Sequence, residues 1–64
     1  MADKYKIGIT SYDDFNLLFE TKVGLTDKKQ TLLYSVWGKS DKESEANAHC
    51  LVNLLEFADQ KAMS

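Results

Sequence analysis

The spacing of apolar residues changes only once along this chain, from a period of two to a period near 3.6, and the change falls between Trp37 and Asp41. Before it, side chains alternate between two faces, as they do along a strand; beyond it they recur at three and four, as they do along a helix. A chain that makes this change once offers strands first and a single helix to cover them. The first strand reads Tyr5-Lys6-Ile7-Gly8-Ile9-Thr10, with Tyr5, Ile7 and Ile9 on one face, and Ser11-Tyr12-Asp13-Asp14 supplies turn chemistry. Phe15 to Leu25 alternates again, with Phe15, Leu17, Phe19, Thr21, Val23 and Leu25 on one face; Asp13 to Lys22 also reads as a short amphipathic helix capped by Asp13. Thr26 to Gln30 forms a polar hairpin tip, Thr31 to Trp37 is a third strand rich in β-branched and aromatic residues, and Gly38-Lys39 closes it.

Ser40-Asp41-Lys42-Glu43 is a capping box, in which the Ser40 hydroxyl accepts from the Glu43 N–H and the Glu43 carboxylate reaches back to Ser40. Asp41, Glu43 and Glu45 also lie where the positive end of a helix dipole favours acids. The helix is expected from about Asp41 to about Lys61, with Ala48, Leu51, Leu55, Ala58 and Ala62 facing the sheet. The expected fold is therefore α+β, a three-stranded antiparallel sheet packed on one long C-terminal helix in the order β-β-β-α. With no proline, repeat or low-complexity stretch, residues 1–64 read as a single domain.

A domain of this size buries only roughly 60% of the surface its unfolded chain exposes, and small domains commonly add disulfides, a metal or a partner to so thin a core. One cysteine, Cys50, excludes an internal disulfide, which points to self-association or a bound partner. The same lone cysteine suits a reducing compartment. Met1-Ala2-Asp3-Lys4-Tyr5-Lys6 lacks the apolar stretch of a leader, and no run approaches a membrane span. A cytoplasmic protein is expected.

Apolar residues exceed what one sheet face and one helix stripe can bury. If Leu17, Phe19, Val23, Leu32, Tyr34 and Val36 point toward the helix, Leu18, Leu33 and Trp37 share the opposite face, which has no second layer. An exposed apolar cluster holding tryptophan is a candidate interaction site. The alternatives are the other register, or cover from lysine stems. On the helix, Cys50, Leu54 and Phe57 fall outside the expected stripe and are a second candidate, either for a dimer contact or for packing within the chain.

Catalytic and metal chemistry find little support. His49 and Cys50 are adjacent on a helix, about 100° apart, and cannot form the hydrogen-bonded pair that a thiol nucleophile needs. Glu45 and His49 at i and i+4 are too few for a zinc site. Gly8, Gly24 and Gly38 are isolated and make no phosphate-cradling loop. Neither enzyme activity, a metal nor a cofactor is expected.

The net charge of −2 is unevenly spread: residues 1–39 hold six lysines and five acids, and residues 40–64 hold two lysines and five acids. No arginine is present, which removes the residue best suited to bidentate phosphate and base recognition. Lysine alone still binds phosphates, so Lys4, Lys6, Lys22, Lys28, Lys29, Lys39 and Lys42 form an alternative nucleic-acid-binding set.

The order Tyr5-Lys6-Ile7, Phe15 to Val23, a third strand, then Gly38-Lys39-Ser40-Asp41-Lys42-Glu43-Ser44-Glu45 and a leucine-rich helix resembles the later part of a double-stranded-RNA-binding domain. The resemblance implies the β-β-β-α fold. That family's last helix opens on a lysine cluster that grips phosphates; at the matching positions stand Asp41, Lys42, Glu43, Ser44 and Glu45, so the resemblance carries over Lys42 alone as a contact. Small antitoxin domains and sheet-type DNA readers share the strand order. The expected function is a non-enzymatic protein-binding module, a small regulator or inhibitor of the kind phages and mobile elements encode, that occludes a surface of its target. The partner surfaces are Leu18, Leu33 and Trp37, and Cys50, Leu54 and Phe57; the alternative is RNA or DNA binding through Lys22, Lys28, Lys29, Lys39 and Lys42.

Overall fold

The computed structural model describes residues 4–63; Met1, Ala2 and Asp3, part of the stretch read for a leader, lie outside them, as does Ser64. Strands β1 (Tyr5–Asp13), β2 (Leu18–Leu25) and β3 (Leu32–Gly38) form an antiparallel sheet in the order β1-β2-β3, and helix α1 (Asp41–Met63) covers one face. This is the α+β arrangement that the change of period implies. No helix among the described residues is long and apolar enough to cross a membrane.

The first hairpin turns later than the alternation suggests. Asp13 ends β1 and its carboxylate accepts from the N–H of Phe15 at 2.9 Å, the N–H of Asn16 at 3.2 Å and the side-chain amide of Asn16 at 2.8 Å. These bonds fix a turn over residues 14–17, with Leu17 at a φ of 58°. Phe15 and Leu17, expected in a strand, are therefore exposed at 91% and 70%. An Asx turn satisfies three donors with one side chain and outweighs the residues' strand propensity. The second hairpin uses the same device: Asp27 accepts from the Thr31 N–H at 3.0 Å and the Thr31 hydroxyl at 3.1 Å, so β3 begins at Leu32 rather than Thr31.

Two bulges reset which residues face the helix. Ile7 pairs with Val23 and Thr10 with Thr21, leaving one extra residue on β1. Val23 pairs with Tyr34 and Gly24 with Leu32, leaving Leu33 extra on β3. The helix-facing rows are thus Tyr5/Leu25, Ile7/Val23/Tyr34, Thr10/Thr21/Val36 and Tyr12/Phe19/Gly38. Ile9, expected alongside Tyr5 and Ile7, and Leu32, expected toward the helix, both line the other face instead.

The core between the layers is narrow and partly polar. Tyr5, Val23 and Ala48 are its buried hydrophobics among the described residues, and Thr21 and Ser44 are fully buried beside them. Ser44 Oγ donates to the Asp41 carbonyl at 3.0 Å. With its one proton used, Ser44 must accept from Thr21 at 2.8 Å, and Thr21 in turn from Thr10 at 2.7 Å. This relay runs from β1 through β2 into the first turn of α1.

Helix α1 starts as its cap predicts, with Ser40 Oγ accepting from the Glu43 N–H at 3.1 Å. Asn47 then donates to the Trp37 carbonyl at 2.9 Å. Gly38 allows this close crossing, because a Cβ there would stand 2.5 Å from the Ser44 nitrogen. The face turned to the sheet is Ser44, Ala48, Leu51, Val52 and Leu55. Ala58 and Ala62, expected in that stripe, are exposed, and Asp59 takes the inward position of the later turns. Its carboxylate accepts from the Tyr5 hydroxyl at 2.7 Å and Lys4 Nζ at 3.2 Å. A helix of 23 residues is about 35 Å long, whereas β3, with seven, spans about 23 Å, so the end of α1 overhangs the sheet.

Candidate functional site

Among the described residues no element covers the sheet face opposite α1. Its rows run Lys6/Gly24/Leu32, then Ile9/Lys22/Ser35 beside Gly8, then Ser11/Glu20/Trp37, and finally Asp13/Leu18. At the end near the β2–β3 tip, Lys6, Gly8, Ile9, Lys22, Gly24, Gln30 and Leu32 line a trough of about 400 Å³. Two glycines leave its floor without side chains. Its walls are apolar and prominent, with Ile9 78% and Leu32 52% exposed. The bulges make this shape: an extra residue on each outer strand turns Ile9 and Leu32 outward on either side of β2.

A polar row separates the trough from the other end of the face. Lys22 Nζ lies 3.3 Å from Glu20 Oε2. The Ser35 hydroxyl bonds Glu20, and this bond, with the Lys22 ammonium, holds the carboxyl below its ordinary pKa despite desolvation. Trp37 stands beside Glu20, and Leu18 lies in the next row. Trp37 pairs with Glu20, which places Leu18 diagonally from it, about 7–8 Å by Cα in sheet geometry. Leu33, the extra residue of β3, is 40% exposed and is not among the residues that line the trough. Leu18 and Trp37 therefore share the open face, and Leu33, at the bulge, stands apart from them.

Ile9, Leu32 and the glycine floor were not evident as site residues from the alternation, and Lys6 was read only as part of the nucleic-acid-binding set. The available signal was Gly8 and Gly24 themselves, since an isolated glycine within a strand pattern marks a bulge or a close approach.

Cys50, Leu54 and Phe57 lie on a flank of α1 outside the stripe that faces the sheet. Cys50 is an exposed free thiol, and Leu54 and Phe57 are 67% and 61% exposed. They form a surface separate from the open sheet face, and the packing of the described residues leaves Leu54 and Phe57 more than half exposed.

The lysines do not gather into one track. Lys22 faces the trough, Lys28 and Lys29 occupy the β2–β3 tip, and Lys39 and Lys42 lie at the opposite end of β3. Lys4 is bound to Asp59 beside the helix. His49, with Tyr5, Lys6, Ile7, Thr26, Val52 and Glu56, borders a second, shallower hollow of about 380 Å³ between α1 and β1. Among the described residues no group of three or more His, Cys, Asp or Glu is arranged to hold a metal ion.

What this constellation offers chemically is recognition: an apolar trough flanked by two ammonium groups on a sheet that otherwise ends in solvent. No family model, no curated protein and no solved structure matches the chain, so the reading of function rests on this geometry.

Proposed function

We propose that this chain is a protein-binding module that covers a complementary surface of its target with the open sheet face, a small regulator or inhibitor of the kind phages and mobile elements encode. The observation that carries the reading is the trough between Ile9 and Leu32. Large aliphatic side chains on both walls and glycines on the floor suit an inserted apolar side chain. Lys6 and Lys22 at its rim suit carboxylates flanking that anchor. Trp37 and Leu18 extend the contact past the Glu20–Lys22 bridge. The exposed Cys50 thiol supports a reducing, cytoplasmic setting.

Capture of the target from host extract, followed by mass spectrometry, tests this. Wild-type chain should retain one protein, and a Leu33→Ala/Trp37→Ala double variant and an Ile9→Lys variant, each folded by circular dichroism, should lose it. Retention by both folded variants overturns the sheet face as the site. RNA or DNA binding through Lys22, Lys28, Lys29, Lys39 and Lys42, in keeping with the resemblance to double-stranded-RNA-binding domains, predicts instead nucleic acid in the captured material and affinity that collapses with added salt. That result would overturn the protein-binding reading.

A further inference from the structure

The flank of α1 from which Asn47 reaches the Trp37 carbonyl carries its own pattern. Asn47, Cys50, Leu54 and Phe57 succeed one another at spacings of three, four and three, the rhythm of a helix-pairing seam. The same line continues to Glu43, four residues before Asn47, and to Lys61, four residues after Phe57. Read from either end, this series is complementary to itself. An antiparallel copy centred near Val52 sets Glu43 against the second copy's Lys61, Asn47 against its Phe57 and Cys50 against its Leu54. Each pairing occurs twice about the two-fold axis. A parallel copy would instead oppose Glu43 to Glu43 and Lys61 to Lys61, with the helix dipoles aligned unfavourably.

The need for such a contact comes from the core. With only Tyr5, Val23 and Ala48 as buried hydrophobics among the described residues, and Leu54 and Phe57 more than half exposed, the protomer leaves much of its apolar surface in water. We propose that the chain is a homodimer paired through this flank of α1 in the antiparallel sense. The occupant we assign to that flank is a second copy, because the stripe meeting its own reverse sets unlike charges against each other at both ends. This inference is independent of the sheet-face reading, because α1 lies on the other face of the sheet from the trough.

The geometry makes a further distinction. Antiparallel pairing about Val52 offsets the two Cys50 residues by four positions, about 6 Å along the axis, across helices about 8–10 Å apart. That exceeds the reach of a disulfide, which needs Cα atoms within about 7 Å. Parallel pairing would place them face to face.

Light scattering with analytical ultracentrifugation on the purified chain tests the proposal. The expected result is a mass of twice the 7.3 kDa protomer, falling to the protomer mass in a Leu54→Glu variant whose far-ultraviolet dichroism is unchanged. Glu43→Lys alone and Lys61→Glu alone should each weaken association roughly fivefold, and the two together should restore it. Residues 43 and 61 lie about 27 Å apart along one helix, so only an intermolecular pair gives that rescue. On mild oxidation, wild-type chain should stay uncrosslinked through Cys50, whereas Leu54→Cys should yield a covalent dimer. Protomer mass at every concentration overturns the proposal, as does failure of the double reversal to restore association, or ready crosslinking of the wild type.

Discussion

Among single residues, the glycines separate positions kept for the fold from a position kept for the surface. At Gly24 an added Cβ would stand 2.6 Å from the Thr31 carbonyl oxygen, an atom of the backbone that cannot step aside. At Gly8 the nearest atoms would be at 3.5 and 3.7 Å, ordinary contact, and its φ is not positive. Gly24→Ala should therefore cost about 1–3 kcal/mol, as overpacking does. Gly8→Ala should leave the fold intact or strengthen it by about 0.4–1 kcal/mol, by restricting the unfolded chain. It also raises the floor of the trough, so target capture should weaken in the more stable variant. Urea denaturation measures the first pair of effects and the capture assay the last; a Gly8→Ala chain that loses stability would show that the strand needs the glycine. Both glycines stand isolated in the strand pattern, and the sequence does not separate their roles, because the two cases differ only in what stands across the strand.

At the scale of elements, what was legible depended on how local the signal was. The start of α1 could be read from Ser40 and Glu43 because a cap bonds residues three apart. Asp13 and Asp27 could be read as turn residues for the same reason. The turn at Asp13 was nevertheless misplaced, because Phe15 and Leu17 continue the strand alternation through it and only the captured Asn16 stops it. Bulges left a weaker trace, an isolated glycine at each, Gly8 on β1 and Gly24 opposite the extra residue of β3, which marks a bulge or a close approach without saying which. The last turns of α1 were misassigned because Asp59, a charged residue, takes the inward position through Tyr5, a partner 54 positions away. That junction has a pH signature. Bonds from Tyr5 and then Lys4 hold the Asp59 carboxyl below its ordinary pKa, and its carboxylate is the main cause that raises both Lys4 and Tyr5. A depressed acid contributes stability above its unfolded pKa, about 4, and loses it as pH falls through the folded value. The raised Tyr5 and Lys4 contribute below about pH 10 and lose it as pH rises through their folded values. Urea midpoints should thus decline on both flanks. In Asp59→Asn the alkaline decline should largely disappear, while the acid decline keeps the shares of Asp13, Glu20 and Asp27, whose carboxyls are also held low by hydrogen bonds. An unaltered alkaline decline in that variant would exclude the junction as its source.

For the whole molecule, the two layers bury little and show much. A helix lies on one sheet face, and apolar side chains stand on both outer surfaces, Ile9, Leu32 and Trp37 on one and Leu54 and Phe57 on the other. The core's fully buried members, Val23, Thr21, Ala48 and Ser44, are small, and two of the four are polar. Hydrophobic burial follows area removed from water, so a protomer built this way draws part of its stability from whatever covers its outsides. If α1 pairs with a second copy, folding and association are linked, and the midpoint of thermal unfolding must rise with protein concentration. The expected outcome in scanning calorimetry is a steady increase in that midpoint over a hundredfold range of concentration. Leu54→Glu should have a lower midpoint that no longer depends on concentration, even though Leu54 is 67% exposed in the protomer and an exposed substitution in a monomer ordinarily changes stability by no more than about 0.5 kcal/mol. A concentration-independent wild-type midpoint would mean that the thin core stands alone, and that both outer surfaces are reserved for other molecules.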